Sequence, residues 1–478
     1  MVRIRISKNN LGRRYRANRS CDLSIIAAFL VLAAFLVKSD CAYAAQKDVI
    51  ILRSEDEAVS TSGRQQLEGS VVRNDEMASA VTLSIDVPPS TSTATPKPNV
   101  KAASFALMDA DTGQLVWSRN PHSRRPNAST TKVMTAILLI ENCGMAEKIK
   151  ASKKASETPY TSIHLMPGEE LTAKDLLMAM MVRSANDAAV AIAEHIAGST
   201  TRFAALMNKK AREIGCKNTH FVTPNGLYNK GHYSSAYDLC LMFRYALRYP
   251  VFNEAINTRK YILASRTMNR KDLALFSRCR FLRDYPWAEG AKSGYVKQAG
   301  YCLVGTAVRN GWRLICAVLK SDNAGRDMAA IMDYGFANFE PYTVAKAGVP
   351  CGQVDVLGGS LAKVPVAPVR DVRVVVPKTG AKIIARIRPA KLEAPIRKGT
   401  RAGIIVLQVN GIPVGSVELR SACDVGLSLA RRVWLCLKTG ILIIAVVIVG
   451  AYGTAFAKNT RSRRRRFSTS LRKTDRFW

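Results

Sequence analysis

The sequence predicts an α+β domain, a small all-β domain after it, and a C-terminal transmembrane helix. Three observations carry this prediction. Between about 101 and 345, strand-like segments bracket a block of helical periodicity. From about 350 to 425 the chain changes to short Val/Ile-rich runs separated by turn signals. Near the end, Ile441 to Ala457 runs for 17 residues without a charged side chain.

The N-terminus comes first in chain order. Residues 1–44 carry eight Lys/Arg against Asp22 and Asp40, then an apolar stretch from Leu23 to Val37, then Ala42-Tyr43-Ala44. A basic start, a short apolar run and an A-x-A-like site make a secretory signal peptide, and the run is too short for a comfortable membrane span. Residues 45–100 are poor in aromatics and rich in Ser, Thr, Glu and Asp, ending "VPPSTSTATPKPNV". That composition predicts a disordered linker.

Order is expected from 101 onward. In "KAASFALMDADTGQLVWSRN" two apolar runs flank Asp111-Thr112-Gly113, a hairpin signal. "NASTTKVMTAILLIE", "TAKDLLMAMMVRSANDAAVAIAEHIAG", "TRFAALMNKKAREIG" and "SAYDLCLMFRYAL" have helical periodicity. "AGYCLVGTAVRNGWRLICAVLK" reads as two strands around Asn310-Gly311. In the β segment, "VRDVRVVV", "KIIARIRP" and "RAGIIVLQV" are strand candidates, with Asn410-Gly411 as a turn.

Residues 433–457 form the predicted anchor, with Val433 to Leu437 lengthening the apolar run if Lys438 snorkels. Nine Lys/Arg follow in 458–478, and only Arg431, Arg432 and Lys438 precede. The positive-inside rule places this tail in the cytoplasm and the body outside. Formal net charge is +35, of which the first 44 residues hold +6 and the tail +8. The remaining +21 suits an acidic polymer. Export and topology account for "RSRRRRF" without nucleic acid.

Eight cysteines fall in the exported body, with no C-x-x-C pair, and Cys302 and Cys316 sit in apolar contexts. Buried free thiols are expected. The histidines at 122, 164, 195, 220 and 232 lack metal-ligand spacing, so no metal and no cofactor is expected.

Chemistry is concentrated in three short motifs. Ser129 and Lys132 lie three apart at the first turn of an apolar helix, so the amine can reach the hydroxyl. Serine needs a base to take its proton, and lysine serves only with a depressed pKa. Ser184-Ala185-Asn186 follows at a helix boundary, and Lys292-Ser293-Gly294 at a strand-like stretch. S-x-x-K, S-x-N and K-[ST]-G in that order are far more specific than any one alone.

With "DADTGQLVWSRNPHSRRPNASTTKVMTA", "LTAKDLLMAMMVRSANDAA", "TPNGLYNKGHYSSAYDL" and "AGYCLVGTA", the region from Lys101 to Lys320 resembles the catalytic domain of the D-alanyl-D-alanine carboxypeptidases, the low-molecular-mass penicillin-binding proteins. "LEAPIRKGTRAGIIVLQVNGIPVGSVEL" resembles that family's second, all-β domain. The resemblance implies a penicillin-binding/β-lactamase-like fold, with an antiparallel sheet and a helical block. It also implies a substrate, peptidoglycan stem peptides, and covalent inhibition by β-lactam antibiotics.

By the same resemblance, Ser129 attacks the penultimate D-Ala with Lys132 as base. Ser184 relays the proton to the leaving nitrogen, and Asn186 holds the substrate amide and Lys132. Lys292 and Ser293 bind the terminal carboxylate, and Gly294 lets the strand approach. The N–H groups of Ser129 and Tyr295 form the oxyanion hole.

Ser293 in place of Thr, and Ala185 in place of Gly, depart from the family pattern. The two perfect triplets, Lys378-Thr379-Gly380 and Lys438-Thr439-Gly440, are set aside by position, one at a turn of the β domain and one beside the membrane helix. Competing readings are a β-lactamase, a cross-link endopeptidase and a non-catalytic peptidoglycan-binding protein. Class A β-lactamases place a glutamate between the second and third motifs, yet Glu194, Glu213, Glu254 and Glu289 all lack an E-x-x-L-N-like context.

Overall fold

In a computed structural model, residues 82–91, 93–269 and 273–474 are described; the signal peptide, most of the linker and the last residues of the tail lie outside them. A five-stranded antiparallel sheet organises the first domain, in the order Leu115–Arg119, Ser104–Asp109, Trp312–Ser321, Gly300–Arg309, Ala288–Val296. The expected turns are present: Gly113 has φ +78°, and Asn310 and Gly311 have φ +51° and +76°. The Asn310 and Gly311 values suit the type I′ turn that joins twisted strands, and Gly113 supplies the single positive φ of the longer loop between Asp109 and Leu115.

Alternation along Ser104–Asp109 explains the layering. Phe105 and Leu107 face one core, which the helix Ala324–Asn338 covers with Met328, Ile331 and Met332. Ala106 and Met108 face a second, larger core. There the helices Lys132–Asn142, Asn186–Ala197 and Ala236–Ala246 pack, contributing Val133, Ile137, Ile192 and Leu239. With both faces covered, the sheet sits in the middle of a three-layer domain.

The second domain is all β, as expected. Its seven-stranded sheet runs Thr82–Val87, Ala381–Pro389, Arg401–Val409, Ile412–Ser421, Lys363–Pro368, Gly352–Leu357, Leu392–Glu393. Two expectations need correction. The linker 45–100 is not wholly disordered, because Thr82–Val87 pairs antiparallel with Ala381–Pro389, from Thr82↔Arg386 to Val87↔Ala381. Val87 is buried in the β core and Ile85 packs against it. The partner lies some 300 residues away, and a lone six-residue strand amid Ser, Thr and Pro carries little local signal. The boundary at 350 also moves. Phe339–Ala345, assigned by sequence to the catalytic domain, pairs with Val372–Pro377.

The domains meet through a side chain that mimics backbone. Gln114 is buried, donating from Nε2 to the Val375 carbonyl at 2.8 Å and accepting the Val375 N–H at Oε1, also at 2.8 Å. Helix Leu429–Thr474 ends the described chain. Its segment Leu429–Ser462 is long and apolar enough to cross a membrane. The helix runs past 457 into the basic tail, with no break at the predicted edge of the anchor. Lys438 turns its ammonium onto the Trp434 ring at 4.2 Å. Among the described residues nine cysteines are free, Cys216, Cys240, Cys302 and Cys316 of them buried.

Candidate active site

Ser129 sits in a 3₁₀ turn, Ala128–Thr131, that leads directly into the apolar helix Lys132–Asn142. The turn is held in an uncommon shape, for Ala128 has φ +47°. Thr131 Oγ1 donates to the Ala128 carbonyl at 2.8 Å. It also lies 2.8 Å from Nε2 of buried His232. The other ring nitrogen, Nδ1, accepts the Val222 and Thr223 N–H groups at 3.1 and 3.3 Å, so the proton belongs on Nε2 and points at Thr131. Burial pushes the His232 imidazole down to about 4, which keeps it neutral. Gly226, with φ +84°, passes so close to the turn that a Cβ there would overlap the Ala128 carbonyl.

Lys132 is completely buried, and its Nζ has three neighbours: Ser129 Oγ at 2.8 Å, Asn186 Oδ1 at 2.7 Å and the Asn225 carbonyl at 2.8 Å. Asn186 Nδ2 donates to the Pro159 carbonyl at 2.9 Å, which fixes that amide with Oδ1 toward the lysine. Both Asn186 Oδ1 and the Asn225 carbonyl can only accept. A neutral amine therefore spends its two N–H groups on them, and its lone pair is left facing the Ser129 hydroxyl. Burial is the main cause holding Lys132 well below its ordinary pKa. The like charge of Lys292 acts in the same direction, and Asp187 opposes both.

Ser184 reaches the same point by an irregular backbone. The helix Ala173–Met178 widens into a π turn over Ala179–Arg183 and stops at Ser184, which is left-handed at φ +68°, ψ +31°. Helix Asn186–Ala197 restarts two residues on. This break separates Ser184 from the helix and turns its Oγ toward Lys292 Nζ, 3.0 Å away. Asp187 anchors the facing loop, accepting from Ser162 Oγ at 2.6 Å and from the Ile163 and Leu165 N–H groups at 3.1 Å.

Lys292 lies mid-strand in Ala288–Val296, buried, and also donates to the Ser293 carbonyl at 2.8 Å. Burial lowers its pKa to about 8. Gly294 is the contact point between this strand and the turn that carries Ser129. A Cβ there would stand 2.5 Å from Ser129 N and 3.0 Å from Ala128 Cβ. The glycine thus serves the approach of strand to turn, bringing Ser129 N beside the backbone that leads to Tyr295.

The eight residues singled out from sequence are brought together. Six of them, Ser129, Ser184, Lys292, Ser293, Gly294 and Tyr295, line one cavity of about 580 Å³; Lys132 and Asn186 stand behind Ser129, joined by their hydrogen bonds. Neither perfect K-T-G triplet is there. Lys378-Thr379-Gly380 forms the turn between two β-domain strands, with Gly380 at φ +97°, and Lys438-Thr439-Gly440 is inside the C-terminal helix. Sequence reasoning missed Asn225, Gly226 and His232. They sit in the quoted "TPNGLYNKGHYS", where Pro-Asn-Gly signalled only a turn, and a backbone carbonyl leaves no mark in a sequence.

Comparison with known proteins agrees with this geometry. Residues 91–323 match the family model for D-alanyl-D-alanine carboxypeptidase, and 339–426 match that for the penicillin-binding protein 5 C-terminal domain. The chain is 33% identical over 325 residues to the D-alanyl-D-alanine carboxypeptidase DacF of Bacillus subtilis, spanning 65% of this chain and 82% of that protein. It is 31% identical over 349 residues to DacA of Haemophilus influenzae, spanning 69% and 86%. Among solved structures, penicillin binding protein 5 from Haemophilus influenzae superposes with a TM-score of 0.61 at 28% identity, over 70% of this chain and 100% of that one. The carboxypeptidase DacD from Francisella tularensis gives 0.54 at 26% identity, over 71% and 97%.

Proposed function

This chain belongs to the D-alanyl-D-alanine carboxypeptidase family, and from that premise we propose that it releases the terminal D-alanine of peptidoglycan stem peptides through an acyl-enzyme on Ser129. The observation that carries the assignment is the Lys132 amine, buried, held well below its ordinary pKa and aimed at Ser129 Oγ at 2.8 Å. As the hydroxyl proton moves to Nζ, Oγ attacks the carbonyl carbon of the penultimate D-Ala. The N–H groups of Ser129 and Tyr295 receive the developing oxyanion, one such donor being worth ~3 kcal/mol.

Ser184, bridging toward Lys292, relays the proton that Lys132 took on to the departing D-Ala nitrogen, which leaves Ser184 a hydroxyl and Lys132 neutral again. Asn186 orients both the base and the substrate amide. Lys292 and the Ser293 hydroxyl hold the terminal carboxylate. Water then repeats the attack on the acyl carbon, again using Lys132, and frees Ser129. A β-lactam enters by the same first step, its ring amide taking the place of the scissile bond. None of Glu194, Glu213, Glu254 and Glu289 lines the cavity, so the deacylation base of a class A β-lactamase has no counterpart among them.

The same proposal includes an anchored location. The anchor over 433–457, within the apolar helix segment Leu429–Ser462, spans the cytoplasmic membrane, the basic tail 458–478 stays in the cytoplasm, and the two domains stand on the outer face. The chemical claim is tested with the detergent-solubilised full chain and a peptide ending in D-Ala-D-Ala. Parent enzyme releases D-alanine and takes up labelled penicillin. Ser129→Ala loses at least about 10³-fold in turnover and all labelling. Release by Ser129→Ala at the parental rate rules out this nucleophile.

A further inference from the structure

The active-site cavity holds more positive charge than one terminal carboxylate requires. Besides Lys292, it is lined by Arg183, Arg278 and Arg280, against a single acid, Asp322. Arg183 directly precedes Ser184 at the end of the π turn. Arg278 and Arg280 flank Cys279 in the segment leading into the short helix Arg280–Asp284. Among the described residues, none of the three guanidinium groups has an ion-pair partner. Arg280 feels the charge of Asp284 one turn on, but both oxygens of that carboxylate are taken by Arg283, at 2.7 and 3.1 Å.

Three arginines without an ion-pair partner thus line the cavity that also holds Lys292. A fork of fixed N–H donors is well shaped for a carboxylate and poorly shaped for an ammonium. Local charge of one sign in a concave site also concentrates ligands of the opposite sign. We infer that the cavity selects stem peptides bearing carboxylates besides the terminal one, with Arg183 and Arg280 as specificity-determining residues and Arg278 beside them. This inference rests on the proposed D-alanine release, and it gives part of the basic body a task that export and topology leave unexplained.

The test uses the full chain and two acetylated tripeptides, acetyl-Glu-D-Ala-D-Ala and acetyl-Gln-D-Ala-D-Ala, which differ by one carboxylate. At low salt the Glu peptide is expected to exceed the Gln peptide about three- to fivefold in kcat/KM, the order of a contact to a half-buried Arg183 and an exposed Arg280. In 1 M NaCl, where screening shortens to about 3 Å, the ratio falls toward one. In the Arg183→Gln/Arg280→Gln double variant the ratio falls toward one at low salt as well. Equal use of both peptides by the parent, or a ratio the double variant leaves intact, overturns the selectivity while D-alanine release stands. Release from neither peptide overturns the reaction itself, and the selectivity with it.

Discussion

Lys292 lines the cavity and Lys132 stands behind Ser129, and the proposed reaction needs them in opposite charge states, which burial alone cannot give. Under the proposed mechanism Lys132 is neutral so that it can act as base, while Lys292 keeps its proton to meet a carboxylate. Burial first, and then the cation of Lys292, hold Lys132 well below its ordinary pKa, whereas burial lowers Lys292 to about 8. The expected pH profile of kcat/KM follows. Activity rises with pH as Lys132 loses its proton and falls above about 8 as Lys292 loses its own. Replacing Lys292 by Gln removes the like charge, so the pKa of Lys132 climbs. The acid limb of penicillin acylation then moves to higher pH, and the alkaline limb due to Lys292 disappears. An acid limb that stays in place in Lys292→Gln shows that Lys132 owes nothing to this neighbour.

At the scale of elements, the site is a meeting of two helix starts and one strand, each shaped by a backbone irregularity. Ala128 at φ +47° and Ser184 at φ +68° are non-glycine residues in left-handed conformations, and the neighbouring packing keeps them there. The strand Ala288–Val296 can approach the first of these turns only because position 294 has no Cβ. Gly294→Ala meets backbone, not a flexible side-chain tip, so strand and turn are forced apart. Acylation by penicillin is expected to fall by about 10²-fold or more, in line with loss of one oxyanion donor, with the far-UV circular dichroism retained. Parental acylation in this variant means the Ser129 and Tyr295 N–H groups do not act as a pair.

At the scale of the whole molecule, the two domains are tied by a side chain at a point where backbone would otherwise end unpaired. Gln114 leaves the hairpin of the catalytic sheet and completes both hydrogen bonds of Val375 in the β domain. Lys378, from a K-T-G that plays no part in the chemistry, adds its ammonium to the Phe336 carbonyl at 2.8 Å and its N–H to the Asn338 carbonyl at 2.8 Å. Gln114→Leu keeps the volume and removes both partners. The cost of leaving the Val375 groups buried and unpaired is about 1–3 kcal/mol, read as a lower urea midpoint. D-alanine release is expected to survive, since Ser129 and Lys132 are untouched. An unchanged midpoint rules out this tie as a source of stability.

What the sequence determined by itself is what nearest neighbours along the chain encode. Ser129 and Lys132 are one helical turn apart, Asn310-Gly311 and Asn410-Gly411 enforce their turns through φ, and the apolar run after Lys438 is set by length alone. Tertiary structure decided everything that depends on surfaces far apart in sequence. Among the described residues it sets Lys292-Ser293-Gly294, and neither of the two better-spelled triplets, against Ser129 N. It made the Asn225 carbonyl an acceptor for the Lys132 amine, and it drew Thr82–Val87 out of an apparent linker into a sheet. A hydrogen bond to a carbonyl and a cross-chain strand pairing are backbone events. They depend on where the chain returns in space, and side-chain identity records that return only where a glycine is needed to permit it.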